Sequence, residues 1–160
     1  MEYEDPIAAL DRVRAAGVQV GRVQLSSALT VTFPQDEAGC VALAARLRRF
    51  ADSTYLHQVI ERHEGVLTHY PDLDVALDNG RSPAGSEWRI HFHVPLFTAE
   101  YDGLGSTQGY VEHVLDIAKR TRFTRHFEIE TYTWDVLPAG LKIDLLDSIA
   151  REYEWVLTRF

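Results

Sequence analysis

Two stretches of this chain alternate between apolar and ionisable side chains, and that alternation limits what the chain can fold into. In Trp88-Arg89-Ile90-His91-Phe92-His93-Val94, a period of two sends Ile90, Phe92 and Val94 to one face and His91 and His93 to the other. In Phe127-Glu128-Ile129-Glu130-Thr131, Phe127 and Ile129 share one face while Glu128 and Glu130 take the opposite one. Each stretch therefore reads as a strand packed on one side and polar on the other.

Helical spacing surrounds these strands. Asp5 can cap an opening helix, with Pro6 in its first turn, Ile7, Leu10 and Val13 on its apolar stripe and Gly17 to end it. Val18 to Ser26 reads as a strand, and Asp36 to Ala51 as a helix with Cys40, Leu43, Ala44, Leu47 and Phe50 on its buried side. Tyr55 to Glu61 reads as a strand that Gly65 turns into a short partner through Val66, Leu67 and His69. A short helix over Leu73 to Leu77 precedes Asn79-Gly80, and Pro95 ends the strand from Trp88. Helices are expected from Thr107 to Lys119 and from Leu141 to the C-terminus, on either side of a strand from Phe127 to Tyr132.

Strands alternating with amphipathic helices predict an α/β fold of parallel βα units in one domain over residues 1–160. The first helix has no strand before it, and about four barrel-type strands follow where a (β/α)8 barrel has eight. The expectation is the C-terminal half of such a barrel, with a small open α/β sandwich as the alternative.

Charge and cysteine content narrow the function. With 16 Lys and Arg against 24 Asp and Glu, the net charge is −8, and nucleic-acid binding is not expected. Cys40 is the one cysteine, which rules out an internal disulfide and fits a reducing compartment. No apolar stretch reaches the ~20 residues of a membrane span, and the acidic N-terminus is unlike a signal peptide. A cytoplasmic protein with no membrane partner is expected.

If the two polar strand faces point into a barrel, imidazole and carboxylate groups meet near the strand ends where barrel sites form. Those donors suit zinc, manganese or magnesium. His91, His93 and Glu130 are the candidate metal ligands, and Glu128 and Asp135 the candidate catalytic groups. Gln24 and Ser26 offer an amide and a hydroxyl to substrate hydroxyl groups, and His57 is a further candidate on the strand from Tyr55. Ser106 and Thr107 follow Gly103-Leu104-Gly105 at a helix start, where free backbone amides can hold an anion such as a sugar phosphate. An ordinary capped helix start explains the same residues.

Three stretches carry a resemblance. Gly21-Arg22-Val23-Gln24-Leu25-Ser26-Ser27-Ala28-Leu29, Arg89-Ile90-His91-Phe92-His93-Val94-Pro95-Leu96-Phe97 and Glu128-Ile129-Glu130-Thr131-Tyr132-Thr133-Trp134-Asp135-Val136-Leu137-Pro138 resemble the Ebo-type metabolite-traffic proteins, xylose-isomerase-like barrels found with bacterial secondary-metabolite clusters. The resemblance spans nearly the whole chain and the latter part of such a protein. It implies a divalent metal at the strand ends, with Glu130 as the last-strand ligand and His93 and His91 before it. Where many relatives carry histidine and aspartate on an earlier strand, this chain has Gln24, Ser26 and Ser27.

The expected function is that of a metal-dependent sugar isomerase or epimerase acting on a small metabolite, completed by an N-terminal half-barrel chain or by self-association. A non-catalytic barrel fragment binding a metabolite or partner is the alternative, and a metal-dependent phosphodiesterase is disfavoured by the acidic charge.

Overall fold

A computed structural model describes residues 2–51, 55–79, 83–130 and 142–160. The element order is α1 (Pro6–Ala15), β1 (Val23–Leu25), β2 (Ser27–Thr32), α2 (Glu37–Leu47) with a 3-10 turn at Arg48–Phe50, β3 (Val59–His63), β4 (Val66–Tyr70), α3 (Leu73–Asp78), β5 (Glu87–Val94), β6 (Glu100–Tyr101), β7 (Leu104–Ser106), α4 (Gln108–Thr121), β8 (Phe127–Ile129) and α5 (Leu145–Leu157). The fold is mixed α/β.

Helix starts follow from side-chain caps. Asp5 accepts from the Ala8 amide at 2.8 Å, Asp36 from Gly39 at 2.7 Å, and Asp144 from Leu146 at 2.9 Å, each satisfying an amide that lacks an intrahelical partner. Between β3 and β4, Glu64 and Gly65 both take positive φ, 49° and 82°. That is the backbone of a two-residue hairpin turn, and Gly65 adopts it without steric cost.

The sheets depart from the expected half-barrel. Six strands pair in the order β4-β3-β5-β2-β7-β6, every pairing antiparallel, and β1 pairs β8 in parallel in a separate two-stranded sheet. The strands from Trp88 and Phe127, which a run of parallel βα units would set side by side, lie in different sheets, and no barrel closes among the described residues. The reason is where β5 inserts. β2 and β3 are both antiparallel to β5, hence parallel to each other and joined through α2 as a crossover, but β5 occupies the slot between them. A βαβ pattern in sequence does not distinguish this split arrangement from adjacent parallel strands. Two elements were also unforeseen: β2, where the first strand runs on past Ser26, and the β6–β7 hairpin around Gly103, read above as a loop before a helix.

One face of the large sheet carries the main core. Leu29, Val31, Val59, Trp88, Ile90, Phe92 and Val94 pack there against Cys40, Leu43 and Leu47 of α2, Phe50, and Leu73 and Ala76 of α3. A second core joins Leu25 of β1 to Leu96, Val111 and Leu115 of α4 and Val156 of α5, with Phe127 and Ile129 of β8 against it.

Glu152 of α5 sits beside this second core, only 2% exposed. Its Oε1 accepts the Leu96 amide at 2.9 Å, and its buried Oε2 has no hydrogen-bond partner among the described residues. Burial pushes its carboxyl up to about 7, against the pull of the Leu96 hydrogen bond. A carboxyl whose folded pKa is raised holds its proton more firmly in the folded state, so stability is fully present below the unfolded value and declines as pH rises toward 7. Glu152→Gln keeps an acceptor for Leu96 without the charge. It is expected to leave stability at pH 4 unchanged and raise it at pH 8 by on the order of 2 kcal/mol, read by urea unfolding at both pH values. An equal effect at the two pH values would show that ionisation of Glu152 is not linked to folding.

Candidate functional site

The strand that begins at Val23 belongs to both sheets. Its first part, β1, pairs β8 with Gln24 opposite Glu128, and its second part, β2, pairs β5 with Ala28 opposite His93. Ser26 lies at the changeover, and the Glu130 amide extends the parallel pairing to the Leu25 carbonyl at 3.1 Å. Along β5 the register jumps between Ala28 and Leu29, so that His91 and Phe92 bulge against β2. Such a bulge re-aims side chains. Here Phe92 stays in the core, fully buried, while His91 and His93 turn toward the end of the parallel pair.

The two imidazoles meet with Nε2 to Nε2 at 3.0 Å. The Ser26 hydroxyl lies 3.2 Å from both ring nitrogens of His93, and the His93 ring hydrogen-bonds the backbone of Glu130. Nδ1 of His91 lies 3.2 Å from Oε1 of Gln58. An amide oxygen only accepts, so His91 carries its proton on Nδ1 when neutral and presents a lone pair at Nε2. If His93 likewise gives its Nδ1 proton to Ser26 or Glu130, two lone pairs face each other at 3.0 Å, and a cation between them relieves the repulsion. Two nitrogens on one zinc, each about 2.0–2.1 Å from it, stand about 2.9–3.4 Å apart for angles from octahedral to tetrahedral. The same 3.0 Å also suits an N–H···N hydrogen bond when the rings are opposite tautomers.

Both histidines are held neutral. Burial pushes His93 down to about 4, with His91 beside it adding to the shift and the Glu130 backbone opposing it. His91 is lowered by burial too, partly offset by the nearby Glu130 carboxylate. Neutral imidazole is the metal-binding form. Among the described residues, no group of three or more His, Cys, Asp or Glu side chains is arranged to hold a metal ion. Among the described residues, the site therefore brings two imidazole nitrogens together with a carboxylate in electrostatic range.

The other expected residues divide. Gln24 and Glu128 lie opposite each other on the polar face of the parallel pair, and Glu128 is engaged by Arg22 at 2.8 Å. His57 is completely buried: its Nδ1 lies 3.0 Å from the His91 carbonyl and its ring packs on Phe92 at 5.4 Å. That position supports the bulge and gives a substrate no access. Ser106 donates to the Thr98 carbonyl at 2.7 Å, and Thr107 accepts the Ala28 amide at 2.8 Å, so both hydroxyls tie the β6–β7 hairpin and α4 to the sheet. Asp135 lies outside the described residues. Gln58 is the contributor that sequence reading missed, although its place next to His57, just before β3, was a usable signal.

No family model matches the chain, and neither a curated protein nor a solved structure is found to match it. No helix among the described residues is long and apolar enough to cross a membrane.

Proposed function

We propose that the junction of the two sheets binds a divalent metal through His91 and His93 and serves an isomerase- or epimerase-like proton transfer on a small hydroxylated metabolite, such as a sugar or sugar phosphate. The observation that carries the reading is the 3.0 Å approach of two neutral imidazole nitrogens, one with its tautomer set by Gln58. Glu130 is the carboxylate that balances the ion's charge. When bound, the ion would supply Lewis acidity toward a carbonyl or hydroxyl oxygen. Glu128, two residues earlier on the same strand face and so about 7 Å away, is the group assigned to move the proton, with Gln24 and Ser26 orienting substrate hydroxyls.

The absence of a third described ligand side chain favours a second reading, a site that binds a metabolite without turning it over. Solvent exchange separates the two. Protein loaded with zinc or manganese is incubated in deuterated water with a panel of ketoses, aldoses and their phosphates, and proton NMR follows label entering the carbon next to the carbonyl. Turnover predicts incorporation that falls at least about 100-fold in Glu128→Gln while metal content stays unchanged. Binding of a panel member without any incorporation would leave the second reading standing and remove the first.

A further inference from the structure

At the other end of the β1–β8 pair, the chain concentrates positive charge around a pair of cavities. Arg122, Thr124 and Arg125 line both of them. The first, about 540 Å³, is walled by Arg14 of α1, by the backbone leading into β1, and by Arg122, Arg125 and His126, and no acidic residue among the described ones lines it. The second, about 560 Å³, is apolar, with Leu25, Phe127, Ile129, Val156, Leu157 and Phe160 forming its walls and Lys119 at its border. Both volumes fall in the range of small-molecule sites.

The charge is unusual in its setting. The protein carries a net −8, and most of its arginines are used in ion pairs: Arg12 with Glu4, Arg22 with Glu128, Arg46 and Arg49 with Asp102, Arg48 with Asp78, Arg62 and Arg89 with Glu87, and Arg159 with Glu112. Among the described residues, Arg122 and Arg125 have no carboxylate partner, and Arg14 has only a loose contact to exposed Asp11 at 3.9 Å. Two unpaired guanidinium groups three residues apart repel each other, in a chain that has 24 Asp and Glu against 16 Lys and Arg.

The backbone adds a second observation. Arg122 ends α4 in the left-handed conformation, φ 48° and ψ 40°, with its amide on the Ala118 carbonyl at 2.8 Å. Glycine is the usual residue there, and a side chain with a Cβ costs roughly 1–2 kcal/mol. The Thr124 hydroxyl donates to the Gly21 carbonyl at 3.0 Å and fastens this turn to the start of β1. A strained, unpaired arginine is thus held at the partition between a polar and an apolar cavity.

We infer that this pair of cavities binds a small amphiphilic anion, its phosphate held between Arg122 and Arg125 with Arg14 across the polar cavity, and its apolar body against Phe127, Val156 and Leu157. Guanidinium forks match the oxygen geometry of phosphate and make hydrogen bonds about twice as strong as neutral ones. The phosphate position lies away from the histidine junction: Gly21 and Ser26 are five residues apart along an extended segment, about 16 Å. The apolar cavity reaches Leu25 and Ile129, on the face of the parallel pair opposite Gln24 and Glu128.

Isothermal titration calorimetry with hexyl phosphate, hexanol and inorganic phosphate tests this on the whole chain. Hexyl phosphate is expected to bind at least about tenfold more tightly than either fragment, a difference of ~1.4 kcal/mol, and to weaken as salt is raised. The Arg122→Gln/Arg125→Ala variant should lose at least about tenfold in affinity for hexyl phosphate. Arg48→Ala, an arginine remote in sequence and already paired with Asp78, should lose nothing, and a circular dichroism melt of each variant verifies folding. Equal binding of hexanol and hexyl phosphate would reduce the feature to an apolar cleft. Unchanged affinity in the folded double variant would overturn the assignment. So would capture by phosphatidic acid vesicles without binding of hexyl phosphate in solution, since that describes a membrane surface.

Discussion

Zinc titrated into the purified protein is expected to bind once per chain, and His93→Ala is expected to weaken that binding by at least about 100-fold. Loss of a partner that merely orients a metal ligand costs 10–100-fold, so removal of one of two chelating nitrogens should exceed it. His91→Ala should act similarly. Gln58→Leu, which removes the acceptor at 3.2 Å that holds the His91 tautomer, should cost about tenfold. The pH dependence carries an independent sign. Both imidazole pKa values lie below the ordinary range, His93 at about 4. Protons should therefore compete with zinc at His93 only as pH drops toward 4, and at His91 only below the ordinary histidine range. An ordinary surface histidine pair would lose zinc from about pH 6.5 downward. Titration calorimetry across this range, with metal content checked by elemental analysis, measures both quantities. Zinc affinity that is the same in the parent chain and in His93→Ala would end the metal reading.

How much of this was legible in the sequence depends on the scale of the interaction. Local rules worked where local physics decides: Asp5 caps a helix, Gly65 turns a hairpin, and Cys40 is core. The alternation in β5 also placed Ile90, Phe92 and Val94 on the packed face and His91 and His93 on the other. Strand direction was not legible, because β2–α2–β3 has the same pattern whether β5 inserts between the strands or not. The approach of His91 to His93 was half legible. Residues i and i+2 share a strand face, but bringing their ring nitrogens to 3.0 Å needed the bulge against Ala28 and Leu29, and that is a register property of two strands far apart in sequence. Ser106 and Thr107 looked like an anion site because the β6–β7 hairpin that occupies their hydroxyls could not be foreseen from Gly103-Leu104-Gly105.

The largest stability effect should come from the apolar residue between the two histidines. Phe92 is fully buried, meets Phe50 edge-on at 5.0 Å and an interplanar angle of 83°, and packs on the ring of His57 at 5.4 Å. Phe92→Ala removes the apolar burial, the aromatic pairing and the filling of the space between β5 and the Arg48–Phe50 turn. Substitutions of this kind cost about 3–5 kcal/mol, a large part of the ~5–15 kcal/mol that holds a domain folded. Urea unfolding should show a midpoint lowered by that free energy divided by the slope, with the slope itself little changed. Val41→Ala on the exposed side of α2, where Val41 is 64% accessible, should change stability by less than about 0.5 kcal/mol. The site should respond as well, because the bulge that aims His91 and His93 is anchored by Phe92 below and by the contact of His57 with the His91 carbonyl beside it. Zinc affinity should therefore drop in Phe92→Ala under conditions where the variant is still folded, and Val41→Ala should bind zinc like the parent chain. A Phe92→Ala protein that loses under 1 kcal/mol would place the apolar face of β5 outside the core, and the bulge would then need another support.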